Sequence, residues 1–266
     1  GDANYNIAIG SNALGGCTAA TSGNIAIGVS ALEHASYAAA NINLAIGQSA
    51  GIAITSGTKN VLIGHEAGKS ISTTNNHTAV GYGALALATG GSNTAIGGVS
   101  LAQVVAGNNN TAVGYAALYE AGDDSDGTES YNTAVGYGAL YALDVDDGEH
   151  NTALGYHAGR KLAADGTTDV VDLVQCTYLG SGTECGSATP SNEIAIGYGT
   201  HGIGNNTVAL GNTSIGHIKG QVDFAAYSDR RIKRDITNDD TGLAFLEKLQ
   251  PVTYKPVNPA DYPDAI

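Results

Sequence analysis

Two runs of acidic residues are the densest clusters of potential metal-binding side chains in the sequence. Their carboxylates belong to Asp123, Asp124, Asp126, Asp144, Asp146 and Asp147. Clustered carboxylate oxygens are the ligands that Ca²⁺ prefers. Neither run has the spacing of an EF-hand loop, which requires a glycine and a terminal glutamate in register. We therefore interpret both runs as hydrated surface loops of good turn-forming residues, and the sequence predicts no metal site and no cofactor.

The cysteines and histidines give no metal-binding motif either. Cys17, Cys176 and Cys185 have no neighbours at the spacing of zinc ligands, and the seven histidines are scattered. Cys176 and Cys185 flank a short glycine-rich turn and could form a disulfide. We expect instead that all three cysteines are free thiols.

Five tyrosines recur directly after a repeated glycine, namely Tyr82, Tyr115, Tyr137, Tyr156 and Tyr198. Equivalent positions in successive repeats predict a ladder of exposed rings. A tyrosine packs through its ring while its hydroxyl stays hydrated. The ladder could contact a receptor or a carbohydrate, or it could be a stacking element that supports the edge of the fold. The sequence favours the structural interpretation and leaves the receptor contact open.

The tyrosines belong to a motif that recurs to about Gly211: a polar residue, then small apolar residues, then glycine. Most copies are 16 to 19 residues apart. The twelve copies end at Gly10, Gly28, Gly47, Gly64, Gly81, Gly97, Gly114, Gly136, Gly155, Gly180, Gly197 and Gly211. Such a period is the signature of a repeat fold, in which each unit must stack on its neighbours to bury its apolar side.

Each copy alternates like a short strand. In the copy at 110–114, Thr111 and Val113 share one face, and Ala112 takes the other. Segments such as 115–118 and 137–140 predict a second short strand in each coil. The stacked coils then form an all-β parallel solenoid. Small residues at the second strand position would allow several solenoids to approach closely about a common axis.

Composition and charge exclude several classes. The chain has 38 glycines, no Met, no Trp and two Phe. These are too few bulky side chains to fill one compact core. Glycine follows no three-residue period and there are only five prolines, which excludes collagen. A net charge of −14 disfavours nonspecific binding to nucleic acid or an anionic bilayer. The longest apolar run is too short for a transmembrane helix.

The unit Asn-Thr-Ala-Val-Gly-Tyr-Gly-Ala-Leu at 132–140 resembles the head repeat of trimeric autotransporter adhesins, which also occurs in phage tail fibres. The resemblance covers roughly the first 215 residues. It implies a left-handed parallel β-roll, a homotrimer with two further copies of the chain, and a structural or adhesive role.

Beyond Gly216 the repeats stop and the sequence changes character. Residues 217–226 predict a final strand and connector. A helix is expected with Asp240 or Thr241 as its N-cap, ending before Pro251, and a strand is expected at 252–255. Positive charge is concentrated at 230–234.

Two C-terminal segments, 228–236 and 246–255, resemble the intramolecular chaperone of phage tailspikes and endosialidases, the S74 peptidase family. The resemblance implies that the domain trimerises, guides folding of the fibre and then cuts itself off. Ser228 would be the nucleophile and Lys233 the base of a serine–lysine dyad, with cleavage at Ser228–Asp229 or the preceding bond.

The resemblances together give three expected regions: a β-roll fibre domain at 1–216, a connector at 217–227, and the start of an α+β chaperone domain at 228–266. The expected function is a structural and adhesive segment of a trimeric phage tail fibre in the virion. Its partners would be a host receptor or glycan and other tail proteins, without nucleic-acid binding or membrane insertion. Two alternatives are a bacterial trimeric adhesin at the cell surface and the non-catalytic shaft of a polysaccharide-degrading tailspike. The only enzymatic activity expected is one self-cleavage.

Overall fold

A computed structural model describes residues 5–17, 21–35, 42–103, 105–119, 129–143, 148–160 and 173–219 of the chain. The chain divides into two compact units, Gly1–Gly216 and His217–Ile266. Nearly all described residues belong to the first unit, which contains twelve β-strands. Across the described ranges there is no helix, and hence none that could cross a membrane.

The strands form one sheet in which each strand pairs in parallel with the next along the chain. They are β1 Ile7–Ile9, β2 Ile25–Ile27, β3 Leu44–Ile46, β4 Val61–Ile63, β5 Thr78–Val80, β6 Thr94–Ile96, β7 Thr111–Val113, β8 Thr133–Val135, β9 Thr152–Leu154, β10 Thr177–Leu179, β11 Glu193–Ile196 and β12 Thr207–Leu210. Sequential parallel pairing at nearly constant sequence separation is the topology of a solenoid, one strand per coil. The predicted all-β parallel solenoid is confirmed, whereas its left hand and the trimer stay predictions.

The predicted alternation is confirmed in strands β2 to β10, whereas all three residues of β1 are exposed. In β7, Ala112 is fully buried, while Thr111 and Val113 are partly exposed. The middle residue of every three-residue strand from β2 to β10 is buried in the same way. The second-position alanines therefore line the interior of a single chain. The expectation that they allow neighbouring solenoids to approach is wrong, because their side chains do not reach the surface.

Adjacent coils approach each other closely at the glycine that ends each strand. Gly114 has φ +130°, and a Cβ placed on it would lie 2.5 Å from the carbonyl oxygen of Gly136. The same arrangement recurs at the glycines of the neighbouring coils. A side chain here would be strained by the backbone conformation and would collide with the next coil. The repeat therefore requires glycine at this position.

In the coils as far as the structure describes them, the predicted second strand is not formed. Residues 115–118 and 137–140 are turns, in which Ala116, Leu118 and Leu140 have positive φ. The amide of Leu118 still donates to the carbonyl of Ala139 in the next coil. Residues with positive φ alternate with residues of negative φ, so the chain turns back toward the core instead of extending. The side chains of Leu118 and Leu140 are buried as a result.

A column of buried asparagines lies directly before the strands. Asn110 Oδ1 accepts a hydrogen bond of 2.9 Å from the backbone amide of Asn132, and Asn132 Oδ1 accepts one of 2.9 Å from Asn151. The Asn132 side-chain amide donates to the carbonyl of Gly148, across its own coil. Each asparagine thus satisfies buried backbone groups of two coils, which would otherwise cost about 1–3 kcal/mol each.

His77 replaces asparagine in this column at the fifth coil. Its amide donates to Asn60 Oδ1 (3.0 Å), its Nδ1 accepts from the amide of Asn93 (3.3 Å), and its Nε2 lies 3.0 Å from Thr74 Oγ1. Burial lowers the pKa of His77 from 6.5 to about 4, because a charged ring would lose its hydration. The neutral ring also keeps Nδ1 free to accept.

The substitution His77→Asn should make the solenoid less sensitive to acid. The unfolded chain binds a proton near pH 6.5 and the folded chain only near pH 4. The contribution of neutral His77 is therefore complete above this window and is lost as the pH falls through it, by about 3 kcal/mol at pH 4. Denaturant unfolding of both proteins at pH 7 and pH 4 measures this difference, since all other titrating groups are shared. Equal losses of stability on acidification would contradict it.

The C-terminal expectations lie almost wholly outside the described residues. Residues 217–219, the described start of the predicted final strand, have no strand conformation. The remainder of that segment, the helix predicted between its N-cap (Asp240 or Thr241) and Pro251, and the strand at 252–255 are not described.

Candidate functional site

An outward-facing column of rings lies one residue after the repeat glycine. Tyr115 stacks on Tyr137 with centroids 5.4 Å apart, and Tyr137 stacks on Tyr156 at 5.5 Å. Tyr82 stacks on His65 at 5.5 Å. All these tyrosines are exposed. Stacked rings cover one another's faces, so the column presents mainly ring edges and hydroxyls to solvent.

Tyr198 does not join the stack. It is the most exposed of the five tyrosines, at 77%, and the residues in the same position of the adjacent coils are Ser181 and Asn212. In the part of the chain that the structure describes, no ring lies against it. The structure thus brings three of the five predicted tyrosines into one stack and places Tyr82 and Tyr198 apart from it.

A second column, five residues after the repeat glycine, was not predicted from the sequence. Tyr119 stacks on Tyr141 at 5.3 Å, and the guanidinium of Arg160 lies 4.1 Å above the Tyr141 ring, a cation–π contact. Arg160 Nη1 is also 3.1 Å from His157 Nε2. The equivalent spacing of 119, 141 and 160 from their repeat glycines is the signal that could have revealed this column.

Two depressions lie between these columns. One has a volume of about 330 Å³ and is lined by Val99, Ala116, the four tyrosines Tyr115, Tyr119, Tyr137 and Tyr141, and Arg160. The other has about 220 Å³ and is lined by residues that include Glu66, Lys69, Tyr82, Gln103 and Tyr119. Val99 and Tyr119 border both. The two depressions are therefore adjacent, and together, as the groove, they cross several coils.

The interior of coils ten and eleven holds a polar cluster that the sequence also did not predict. The Tyr178 hydroxyl donates to Glu193 Oε2 at 2.7 Å, and Glu193 Oε1 accepts from the amide of Gly204 at 2.7 Å. Both side chains are fully buried. Burial raises the pKa of Tyr178, so its hydroxyl remains a donor. The cluster is a closed hydrogen-bonded unit and not an accessible site.

Cys176 and Cys185, beside this cluster, are free thiols. Cys17 is not in a disulfide either, and its Sγ is in hydrogen-bond contact with Thr21 Oγ1. Burial raises the pKa of the Cys176 and Cys185 thiols. Both therefore stay protonated, and neither is a nucleophile near neutral pH. Within the described ranges, no group of three or more metal-ligating side chains comes together.

Several predicted site residues lie outside the described residues. They are Ser228, Lys233, and the acidic residues Asp123, Asp124, Asp126, Asp144, Asp146 and Asp147. The proposed dyad and the acidic loops therefore remain predictions from the sequence.

The described fold defines a parallel β-solenoid with an aromatic groove on its surface. Comparison with known families adds one finding: residues 228–262 match the model of a family described as the chaperone of endosialidase, Peptidase S74. The match covers a short C-terminal part of the chain and includes both Ser228 and Lys233. No match was found among curated proteins or among solved structures.

Proposed function

We propose that this chain is a structural and adhesive segment of a trimeric phage tail fibre or tailspike, folded with the help of a C-terminal chaperone. The observation that carries the proposal is the succession, in one chain, of a twelve-strand parallel solenoid and a match to the endosialidase chaperone. A solenoid supplies a shaft, and the S74 resemblance implies a domain that trimerises and guides fibre folding. The protein would then reside in the virion, in contact with other tail proteins.

The near identity of successive strands explains why such a fibre would benefit from a chaperone. Strands β5 to β9 read Thr-Ala-Val, Thr-Ala-Ile, Thr-Ala-Val, Thr-Ala-Val and Thr-Ala-Leu. Pairing shifted by one whole coil would bury almost the same side chains and is therefore weakly disfavoured. Non-local strand pairing is also slow. Trimerisation at the C-terminal end would fix a common starting register for all three chains.

The outer face of the sheet supplies a surface for the trimer. The third residue of each three-residue strand is always Ile, Val or Leu, and Ile9, Ile96 and Leu154 are 41–59% exposed. Twelve strands spaced about 4.8 Å apart extend this apolar stripe over roughly 50 Å. Monomeric proteins rarely leave so long an apolar patch in water. Two further copies of the chain are the occupants that we propose for it.

The substitution Ile96→Asp should prevent trimer formation. It places a charge on the stripe, whereas the control Ser92→Asp places the same charge on an exposed turn of the same coil. Light scattering should give the mass of three chains for the wild type and Ser92→Asp, and of one chain for Ile96→Asp, with unchanged far-UV circular dichroism. A three-chain mass for Ile96→Asp would exclude the stripe as the interface.

The adhesive role predicts that the assembled protein binds bacterial cells selectively. Fluorescently labelled full-length protein, mixed with a panel of bacterial strains, should stain a subset of them by flow cytometry. Monomeric Ile96→Asp should stain the same strains at least tenfold more weakly, because three linked sites bind with greater avidity than one. Failure of the wild-type trimer to bind any strain beyond background would reject the adhesive role.

We also propose that Ser228 and Lys233 perform one self-cleavage. An uncharged Lys233 amine would take the Ser228 hydroxyl proton as the oxygen attacks a neighbouring peptide carbonyl. The amide nitrogen would leave with a proton, and water would then hydrolyse the resulting ester.

Mass spectrometry of the wild type and three variants tests the dyad. The wild type and the control Ser214→Ala should be shortened at Ser228, and Ser228→Ala and Lys233→Ala should keep their full length. Four full-length proteins would remove the protease claim and leave the fibre proposal intact.

A further inference from the structure

The outer aromatic column is interrupted at one coil. The residues that follow the repeat glycine in coils four to nine are His65, Tyr82, Gly98, Tyr115, Tyr137 and Tyr156. Gly98 is the one member of this run without a ring. The ladder therefore has a notch, one coil high, between Tyr82 and Tyr115.

The notch exposes ring faces, which the rest of the ladder covers. Tyr82 and Tyr115 are two coils apart, or roughly 10 Å at the usual strand spacing, and no ring contact joins them in the described structure. That separation is about twice the centroid distance at which one ring stacks on another. The gap therefore corresponds in height to one further ring between them.

The notch lies beside the groove. Val99 follows Gly98 directly, and Val99 and Tyr119 border both depressions, whereas Tyr82 borders one and Tyr115 the other. Gln103 adds a side-chain amide to the lining. A chain molecule lying in the groove could therefore place one ring in the notch and continue in both directions along the solenoid.

The backbone of the groove floor is not available to a peptide strand. The amide of Val99 donates to the carbonyl of Tyr82 (2.8 Å), and that of Ala116 donates to Gly98 (3.0 Å). Because these groups already pair coil with coil, β-strand addition is closed here. The net charge of −14 also disfavours nucleic acid.

Carbohydrate has the matching chemistry. A sugar ring presents apolar C–H faces to the Tyr82 and Tyr115 rings, and its hydroxyl edge can bond with tyrosine hydroxyls and the Gln103 amide. Ligand sites of this kind combine aromatic walls with a few polar groups. We propose that the notch at Gly98 binds one ring of a linear oligosaccharide that lies in the groove. This inference rests on the adhesive function proposed above.

The substitution Gly98→Tyr tests the notch by completing the ladder. Gly98 does not have positive φ, and the nearest atom to an added Cβ is Tyr115 Cδ2 at 3.2 Å, on a ring that can shift. The fold should therefore be retained, as circular dichroism and light scattering would report. The matched control is Tyr131→Ala, which removes an exposed ring stacked on His150 and outside the groove lining.

The probe is an array of purified bacterial O-chain and capsular polysaccharides, followed by titration of those that bind. Gly98→Tyr and Tyr119→Ala should each weaken binding at least tenfold, and Tyr131→Ala should leave it unchanged. If Gly98→Tyr does not fold, Tyr119→Ala alone tests the proposal.

Three outcomes separate this inference from the proposed function. Wild-type affinity in both groove variants would overturn the notch while leaving the adhesive role intact. Binding of the wild type to bacterial strains but to no polysaccharide would also overturn it and would indicate a receptor of another chemistry. Absence of binding to both strains and polysaccharides would reject the adhesive function, and the notch with it.

Discussion

The close contact between successive repeat glycines is the constraint on which the rest of the structure depends. A Cβ on Gly97 would lie 2.4 Å from the carbonyl oxygen of Gly114, so this position cannot carry a side chain while the coils stay this close. Successive strands therefore stay in register along the stack. The columns of alanine, leucine, asparagine and tyrosine follow from this alignment, because equivalent residues of successive coils must lie directly over one another.

The column of buried asparagines is a second constraint on the stack, and its residue type varies at some coils. Asparagine serves two coils at once, as an acceptor for one backbone and a donor to another, so it suits a continuous interior column. Where the sequence departs from asparagine, the chemistry changes with it: His77 introduces a titratable ring, and Glu193 is satisfied by Tyr178 and by backbone amides. These substitutions give the fifth and eleventh coils properties that the regular coils do not have.

The strands could be predicted from the sequence because their alternation and period are explicit, as in the Thr111–Ala112–Val113 copy. The turns could not, because the left-handed conformations of Ala116 and Leu118 are imposed by the need to return the chain to the next coil and not by residue preference. The inward direction of the alanines likewise depends on how the coil closes. The tyrosine ladder could be predicted from the spacing of its residues. The roles of Tyr119, of the gap at Gly98 and of the groove could not, because they depend on how two columns lie side by side.

The central coils are nearly interchangeable, and this has a genetic consequence. Strands β7 and β8 have the same three residues and the same register with their neighbours. Unequal recombination between their coding segments would delete or duplicate one coil and rejoin surfaces that already fit. The solenoid could then change length in increments of about 5 Å, the spacing of parallel strands, without any new interface having to evolve.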